Sequence, residues 1–580
     1  MLSKMMELMN EYSINKMDCD SENLLFKLPI YYLKDKYLVE ENIKSDLELI
    51  EKDDKCSLYE YIIPATSLYG KRIISMWNEY YTTNKYFLQD TQTLIKKFVP
   101  LEQAESNRSE NIHNILKEMK NETGFYEKYK YLDIKFFEFL NHSPTFLQLL
   151  TIYNLSSPII SLAIPILMLI IPFFILKLQK ISISLKTYIE TLLTVLKNHV
   201  IGKLVSEFSH VGWDRRFFMI ISVVFYFINI YQNIISCHTF YKNIYKIRNY
   251  LLSINNFLQY SINSITNLNL YCKKSYSEFC NINNRVKEIL YKFSIEISNI
   301  ELEVINIKQV TKIGNILRSF YQLFKNNNYN RAIQYSLYLE GFIENINCIQ
   351  KNISNKSLNY CKFTKKNTKF EQAYFACLNN NSVKNTYTLD KNILITGPNA
   401  AGKTTLLKTT LFNIIISQQI GVGCYTKAII NPYRYIYSYI NIPDTSGRDS
   451  LFQAEARRCK EILDSISKSK SYDRHFCIFD EIYSGTNPNE AIASAYSFLK
   501  YITKYNIDYM LTTHYFSLCK MMNKIDRITN KQMEINNSKN TYKLIDGISN
   551  IKGGIKVLED LKYNNEIVEM AKEIVDNINI

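Results

Sequence analysis

Residues 392–405 read Asn-Ile-Leu-Ile-Thr-Gly-Pro-Asn-Ala-Ala-Gly-Lys-Thr-Thr and fit G-x-x-x-x-G-K-[ST] at every required position. A chain with that pattern must supply a buried strand, a tight glycine turn and a helix in succession, because that arrangement wraps backbone amides around phosphate. Both flanks comply. Ile393 to Ile395 form an apolar run, and Leu407, Leu411 and Ile414 or Ile415 follow Lys403 at helical spacing. The motif predicts an α/β P-loop domain in which Gly397, Pro398, Asn399, Ala400, Ala401, Gly402, Lys403, Thr404 and Thr405 surround the phosphates of ATP. Lys403 is expected to reach the β- and γ-phosphates, and the Thr404 hydroxyl to ligate Mg²⁺.

Phe476-Cys-Ile-Phe-Asp-Glu481 reads as a short buried strand ending in two carboxylates. Behind a P-loop, Asp480 is the expected Mg²⁺ ligand, directly or through water. Glu481 is then placed to orient or deprotonate the attacking water as a general base. Tyr509-Met-Leu-Thr-Thr-His514 reads as another strand, with His514 at its end in reach of the γ-phosphate. A single histidine is usually a satisfied structural residue, so its place after the strand carries that assignment.

Taken in order, residues Thr396 to Thr405, Gln419-Ile-Gly421, Ser446-Gly-Arg448, Asp480-Glu-Ile-Tyr-Ser-Gly-Thr486 and Thr513-His-Tyr-Phe516 resemble the ATPase domain of the MutS mismatch-repair proteins. The resemblance covers residues 381–580, and the combination is more specific than any member of it. It implies an ABC-type ATPase working as a homodimer, with each nucleotide held between one subunit's P-loop and the other's signature segment. Residues 444–455 match the signature region with one residue inserted, which makes Ser450 the hydroxyl offered across the interface and Ser446 the reserve. Asn399 matches the P-loop Asn that the family uses near the γ-phosphate. Where the family places an aromatic residue under adenine, this chain has Ser382-Val-Lys-Asn385, leaving Tyr374 or Phe375 as substitutes.

The first 380 residues depart from mismatch-repair MutS. Leu155 to Leu176 and Phe217 to Tyr241 are both free of charged residues and long enough to span a bilayer. Pro158, Pro165 and Pro172 argue against a helix in an aqueous core, where each interior proline costs about 3 kcal/mol. Spanning helices tolerate proline better, although three could also mark a broken or re-entrant hairpin. Gln232 and Asn233 weaken the second segment, and the basic residues of 177–216 run contrary to the positive-inside tendency, which a shallow hairpin would relieve.

The expected fold is thus multidomain: a helical region at 1–150, a membrane hairpin at 151–241, lever-like helices at 242–350, a Lys- and Asn-rich linker at 351–380, and the ATPase domain at 381–580. The net charge of +15 suits nucleic acid or anionic lipid, but the surplus is spread along the chain without a concentrated arm. Heavy Asn, Ile, Lys and Tyr usage resembles translation of an AT-rich genome, and with the apolar spans it is similar to proteins of giant DNA viruses. The 12 cysteines contain no C-x-x-C pair, so neither a zinc site nor a disulfide framework is expected. The first 20 residues are polar and charged, with no cleavable signal peptide evident. The expected location is a membrane, with the ATPase facing the cytoplasm and the chain not secreted.

Phe136-Phe137-Glu138 resembles the Phe-x-Glu wedge of mismatch readers, but it precedes the first apolar span instead of sitting in an N-terminal mixed domain. Two functions follow. One is a MutS-like ATPase acting on DNA in mismatch repair. The other is a membrane-tethered MutS-like ATPase driving a membrane or assembly process, with DNA contact largely non-specific.

Overall fold

The computed structural model describes residues 25–49, 56–101, 108–180, 184–196, 208, 211–298, 312–440, 442, 450–536, 539–549, 558 and 561–577. The chain forms two compact units, each assembled from separated stretches. The helical unit draws on residues 105–263 and 285–334, and the α/β unit on 26–104, 264–284 and 335–580.

The α/β unit contains a six-stranded sheet, in the order β13-β12-β6-β11-β10-β9. Its strands are β6 (Asn392–Thr396), β9 (Tyr435–Tyr439), β10 (His475–Asp480), β11 (Ile507–Thr512), β12 (Ile528–Asn536) and β13 (Lys539–Asp546). All neighbours run parallel except β12 and β13, which form an antiparallel pair. Parallel strands need both faces covered, and β6 and β10 read as continuous apolar runs for that reason. Helices Leu451–Lys468, Pro488–Ile502 and Phe516–Met522 enclose one core around Phe479, Leu499, Tyr509 and Leu511.

A second sheet, ordered β5-β4-β8-β3-β7, includes β3 (Asn359–Phe363), β4 (Thr368–Ala373), β5 (Asn385–Leu389), β7 (Val422–Gly423) and β8 (Lys427–Ile430). This corrects the expected linker at 351–380, which holds two strands. Cys361, Phe363 and Phe370 point inward and are buried, while Lys362, Lys365 and Lys366 supplied the linker-like composition.

The linear partition also fails at the front. Residues 26–104 fold with the ATPase-like region, because the P-loop helix Lys403–Ile420 ends in two fully buried glutamines. Gln419 Nε2 donates to the carbonyls of Trp77 (2.6 Å) and Tyr80 (3.0 Å), and its Oε1 accepts from the Tyr59 hydroxyl at 2.6 Å. Gln418 Nε2 donates to Thr82 O (3.2 Å) and Tyr433 O (2.8 Å). Buried amides must be satisfied, so these side chains fix the front segment to the helix.

The described elements of the helical unit are all helices. Its first apolar run lies within one unbroken helix, Pro144–Leu178, so the broken or re-entrant form does not occur. Pro158, Pro165 and Pro172 are seven residues apart and none of them interrupts the helix. The second run lies in the first half of a 59-residue helix, Trp213–Tyr271. Two membrane-type helices are expected, whereas among the described residues one, Trp213–Tyr271, is both long and apolar enough to cross a bilayer. The side chains at 162, 164, 165 and 168 fall outside the described residues, leaving Leu169–Leu178 as the described apolar stretch of the first helix.

Candidate nucleotide-binding site

The register of the sheet assembles the site. Asp480 at the end of β10 pairs with Thr512 at the end of β11, and Thr512 pairs with Ile395 of β6. The P-loop, the Asp480-Glu481 pair and His514 therefore emerge from one edge, the carboxyl ends of parallel strands, where α/β sheets bind ligands. Gly402 caps the P-loop helix at φ +89, and a Cβ there would lie 3.1 Å from Cδ1 of Tyr542. A glycine serves this turn for both reasons.

Lys403 is buried and donates to the carbonyls of Gly397 (3.0 Å) and Pro398 (3.1 Å). Burial pushes its pKa down, while Glu481 and Asp480 hold it up. The Thr404 hydroxyl donates to Asp480 Oδ2 at 2.8 Å, and the Thr512 hydroxyl donates to Asp480 Oδ1. Glu481 has a left-handed backbone, φ +52, and its Oε1 lies 2.8 Å from His514 Nε2 and 4.0 Å from Lys403 Nζ. His514 Nε2 is also 3.1 Å from Lys403 Nζ. One nitrogen cannot serve both neighbours as a donor and an acceptor. The carboxylate contact is the shorter, and a proton on Nε2 donates to Glu481. That hydrogen bond keeps the Glu481 carboxyl below the usual carboxylate range, against the opposing effect of burial.

Thr404 and Asp480 offer hard oxygen donors, which fit Mg²⁺, an ion that takes one or two protein ligands alongside phosphate oxygens and water. Among the described residues no group of three or more His, Cys, Asp or Glu could hold a metal by itself. A cavity of about 570 Å³ opens over the P-loop, lined by Asn399 to Leu406 and Glu481 together with Phe375, Leu378, Val383 and Tyr542. Its size is in the range of small-molecule sites. Of the two sequence candidates for a base-facing aromatic, Phe375 lines the cavity. Tyr374 instead donates its hydroxyl to Ser357 O.

Two residues escaped the sequence reading. Tyr542 lines the cavity from β13, far from the P-loop in sequence, and Asn385 Nδ2 donates to its carbonyl at 3.0 Å. No local motif marks it. Glu455, quoted only as the last residue of the signature match and given no role there, is buried in the helix Leu451–Lys468. It accepts from Ser484 N (3.1 Å), Ser484 Oγ (2.9 Å) and Gly485 N (3.1 Å), pinning the loop that follows Glu481. Ser450 is not among the cavity residues. It caps the same helix, with its Oγ accepting from Gln453 N at 3.3 Å and Gln453 Oε1 accepting from its own N–H at 3.0 Å. Ser446 lies outside the described residues.

Comparison with known proteins places this site in context. Residues 393–579 match the sequence profile of MutS domain V. The DNA mismatch repair protein MutS of Orientia tsutsugamushi (strain Ikeda) is 33% identical over 192 residues, covering 31% of this chain and 21% of that protein. Endonuclease MutS2 of Clostridium botulinum (strain Okra / Type B1) is 27% identical over 193 residues, covering 33% of this chain and 24% of the relative. Endonuclease MutS2 of Agathobacter rectalis is 29% identical over 191 residues, covering 32% and 24%. The chain spans about a fifth to a quarter of the length of these relatives. The similarity falls on the α/β unit and includes the P-loop, Asp480, Glu481 and His514.

Proposed function

We propose that this chain is a Mg²⁺-dependent, MutS-like ATPase that completes its sites as a homodimer. The observation that carries the reading is the Thr404–Asp480 hydrogen bond beside Glu481, which collects metal-type oxygens and a candidate base at the mouth of a P-loop. Bound Mg²⁺, held by Thr404 and Asp480, would neutralise phosphate charge. Lys403 exchanges its loop carbonyls for phosphate oxygens, a change favoured because a buried ammonium needs an anionic partner. Glu481, kept ionised by His514, accepts the proton of the attacking water. Ser450 stands at a helix N-terminus, where a second copy's nucleotide would find both a hydroxyl and the positive end of the helix dipole.

The relatives' names favour a DNA-linked role, and exposed apolar helices in the helical unit favour a membrane one. Both remain compatible with the same ATPase. Sedimentation of Glu481→Gln with ATP and Mg²⁺ tests the dimer: a nucleotide-dependent dimer that Ser450→Ala weakens is expected. A monomer hydrolysing ATP as well when dilute as when concentrated would overturn the composite site.

A further inference from the structure

The helix Trp213–Tyr271 keeps one seam along its length while its outer surface changes character. Residues at alternating steps of four and three, among them Tyr226, Ile230, Asn233, Cys237, Phe240 and Ile244, turn inward or are partly covered. That heptad spacing is the seam of a paired helix. From Phe240 onward the seam is deeply buried in the helical unit, and the outward positions include Lys242, Asn249, Asn256 and Gln259 beside the exposed Tyr241 and Tyr245. Before Phe240 the outward positions include Phe218 (67% exposed), Phe225 (65%), Phe227 (58%) and Tyr231 (64%).

The partner across this seam is the helix Pro144–Leu178. Cys237 Sγ donates to Leu155 O at 3.8 Å, Asn233 Nδ2 to Ser161 Oγ at 3.2 Å, and the Tyr226 hydroxyl to Ser161 O at 3.2 Å, so the two helices run antiparallel. Asn233 also donates to Asn229 Oδ1 at 3.0 Å. Tyr226, Asn233 and Cys237 thus find partners on the facing helix, as a hydrocarbon surrounding requires, while Asn229 and Gln232 are exposed. The outer face of the partner is equally apolar, with Ile159, Ile166, Leu167 and Phe174 each at least half exposed or nearly so.

We infer that this arm, in which the short helix Leu185–Leu196 also packs on Pro144–Leu178 through the Tyr188 hydroxyl, which donates to Leu169 O at 2.6 Å, is seated in a lipid bilayer. From Phe217 to Ile235 the helix rises about 28 Å, which matches a hydrocarbon core of about 30 Å. Both ends of the apolar band carry interfacial residues. Trp213, 81% exposed, stands with Arg215 and Arg216 beside the segment boundary, and Lys177 and Lys180 close the partner helix. At the other end are Tyr153, Tyr241, Lys242 and Tyr245. Aromatic and basic girdles of this kind belong to membrane interfaces. Docking of a second copy would need one apolar stripe, whereas here the apolar surface lies on the outside of both helices.

The chain's two tryptophans allow a direct test, because Trp77 is buried in the α/β unit and Trp213 is exposed at the edge of the arm. Full-length protein in phosphatidylcholine–phosphatidylglycerol vesicles brominated near the headgroup should float with the vesicles and resist salt and alkaline carbonate. Its tryptophan emission should fall by up to about half, one fluorophore of two, and Trp213→Phe should abolish that loss. Phe225→Lys, an outward substitution that spares the seam, should reduce the floating fraction. A detergent-free soluble species with emission insensitive to brominated lipid overturns the inference, as does a Phe225→Lys protein that changes only its oligomeric state.

Discussion

The Thr404 hydroxyl donates to the Asp480 carboxylate at 2.8 Å, joining the first turn of the P-loop helix to the end of β10. The two residues are 76 apart in sequence, and the parallel register of β6, β11 and β10 brings them together. Beside them, the proposed function gives phosphate binding to Lys403 and chemistry to Glu481. Lys403→Ala is expected to abolish nucleotide binding. Glu481→Gln should bind ATP normally and lose hydrolysis by about 10²-fold or more, as removal of a general base does. Titration with a fluorescent nucleotide and a phosphate-release assay measure the two, and wild-type turnover by Glu481→Gln would refute its role as base.

Glu481 is ionised at lower pH than an ordinary carboxyl because His514 donates to it. Removing that donor raises the Glu481 pKa. The acid limb of the rate–pH profile of His514→Ala should therefore move to higher pH, with the largest loss in mildly acidic buffer. A profile that merely drops uniformly would assign His514 to phosphate contact alone.

Tyr542 reaches the cavity with its ring against Gly402. If it stacks on the nucleotide base, Tyr542→Ala should weaken ATP affinity about tenfold, since base–aromatic stacking is worth about 1–3 kcal/mol. Tyr542→Phe should bind as wild type. Equal affinity of all three proteins for ATP would leave Phe375 as the base-facing aromatic.

How much of this was legible in the sequence follows the range of the signals. The P-loop, β10 with its two carboxylates and the strand before His514 are short motifs whose spacing states their own structure, and each lies where the sequence places it. The Tyr542 contact depends on β13 folding back beside β12, a tertiary fact without a local mark. Lys-rich outer faces hid the strands of 359–373, and the docking of residues 26–104 through Gln418 and Gln419 required partners more than 300 residues away. The two apolar runs were legible as helices, but their antiparallel contact through Ser161 was not.

Gly485 packs against the first turn of the helix Leu451–Lys468. A Cβ there would meet Leu451 Cβ and Phe452 N at 2.9 Å. Gly485→Ala must therefore shift backbone, at a cost of about 1–3 kcal/mol, and loosen the loop that Glu455 holds three residues beyond Glu481. Hydrolysis should fall while ATP affinity holds. A melting temperature and turnover equal to wild type would show that the loop accommodates the methyl group.

His475 lies fully buried between stacked Tyr435 (5.0 Å between ring centroids) and Tyr437 (5.9 Å), with Nε2 at 2.8 Å from Ser469 Oγ. Burial pushes its pKa down to about 4, partly opposed by Asp473, from the ordinary 6.5. Between those values the unfolded chain binds more protons than the folded one. Stability is therefore lost as pH falls from about 6.5 to about 4, by at most about 3 kcal/mol from this residue. In His475→Gln the melting temperature should start lower but change less steeply across that window. An unchanged slope would place the acid sensitivity elsewhere.

A mismatch wedge needs an exposed aromatic with a carboxylate free to meet the displaced base. Phe136 and Phe137 are exposed, 77% and 41%. The adjoining Glu138, however, accepts from Lys325 at 2.6 Å and from the Tyr321 hydroxyl at 2.9 Å, contacts that hold it within the helical unit. Freeing it would leave Lys325 without that ion pair, and the intercalating mode depends on a fold that supports the wedge. The surplus of basic residues can still attract phosphate, but such binding is independent of sequence and screened by salt. Heteroduplex and homoduplex DNA should therefore bind within about threefold of each other, both fading steeply between about 50 and 200 mM salt. A mismatch preference above about tenfold, roughly 1.4 kcal/mol, that persists at physiological salt and is lost in Phe137→Ala would overturn this and make mismatch recognition the work of the helical unit.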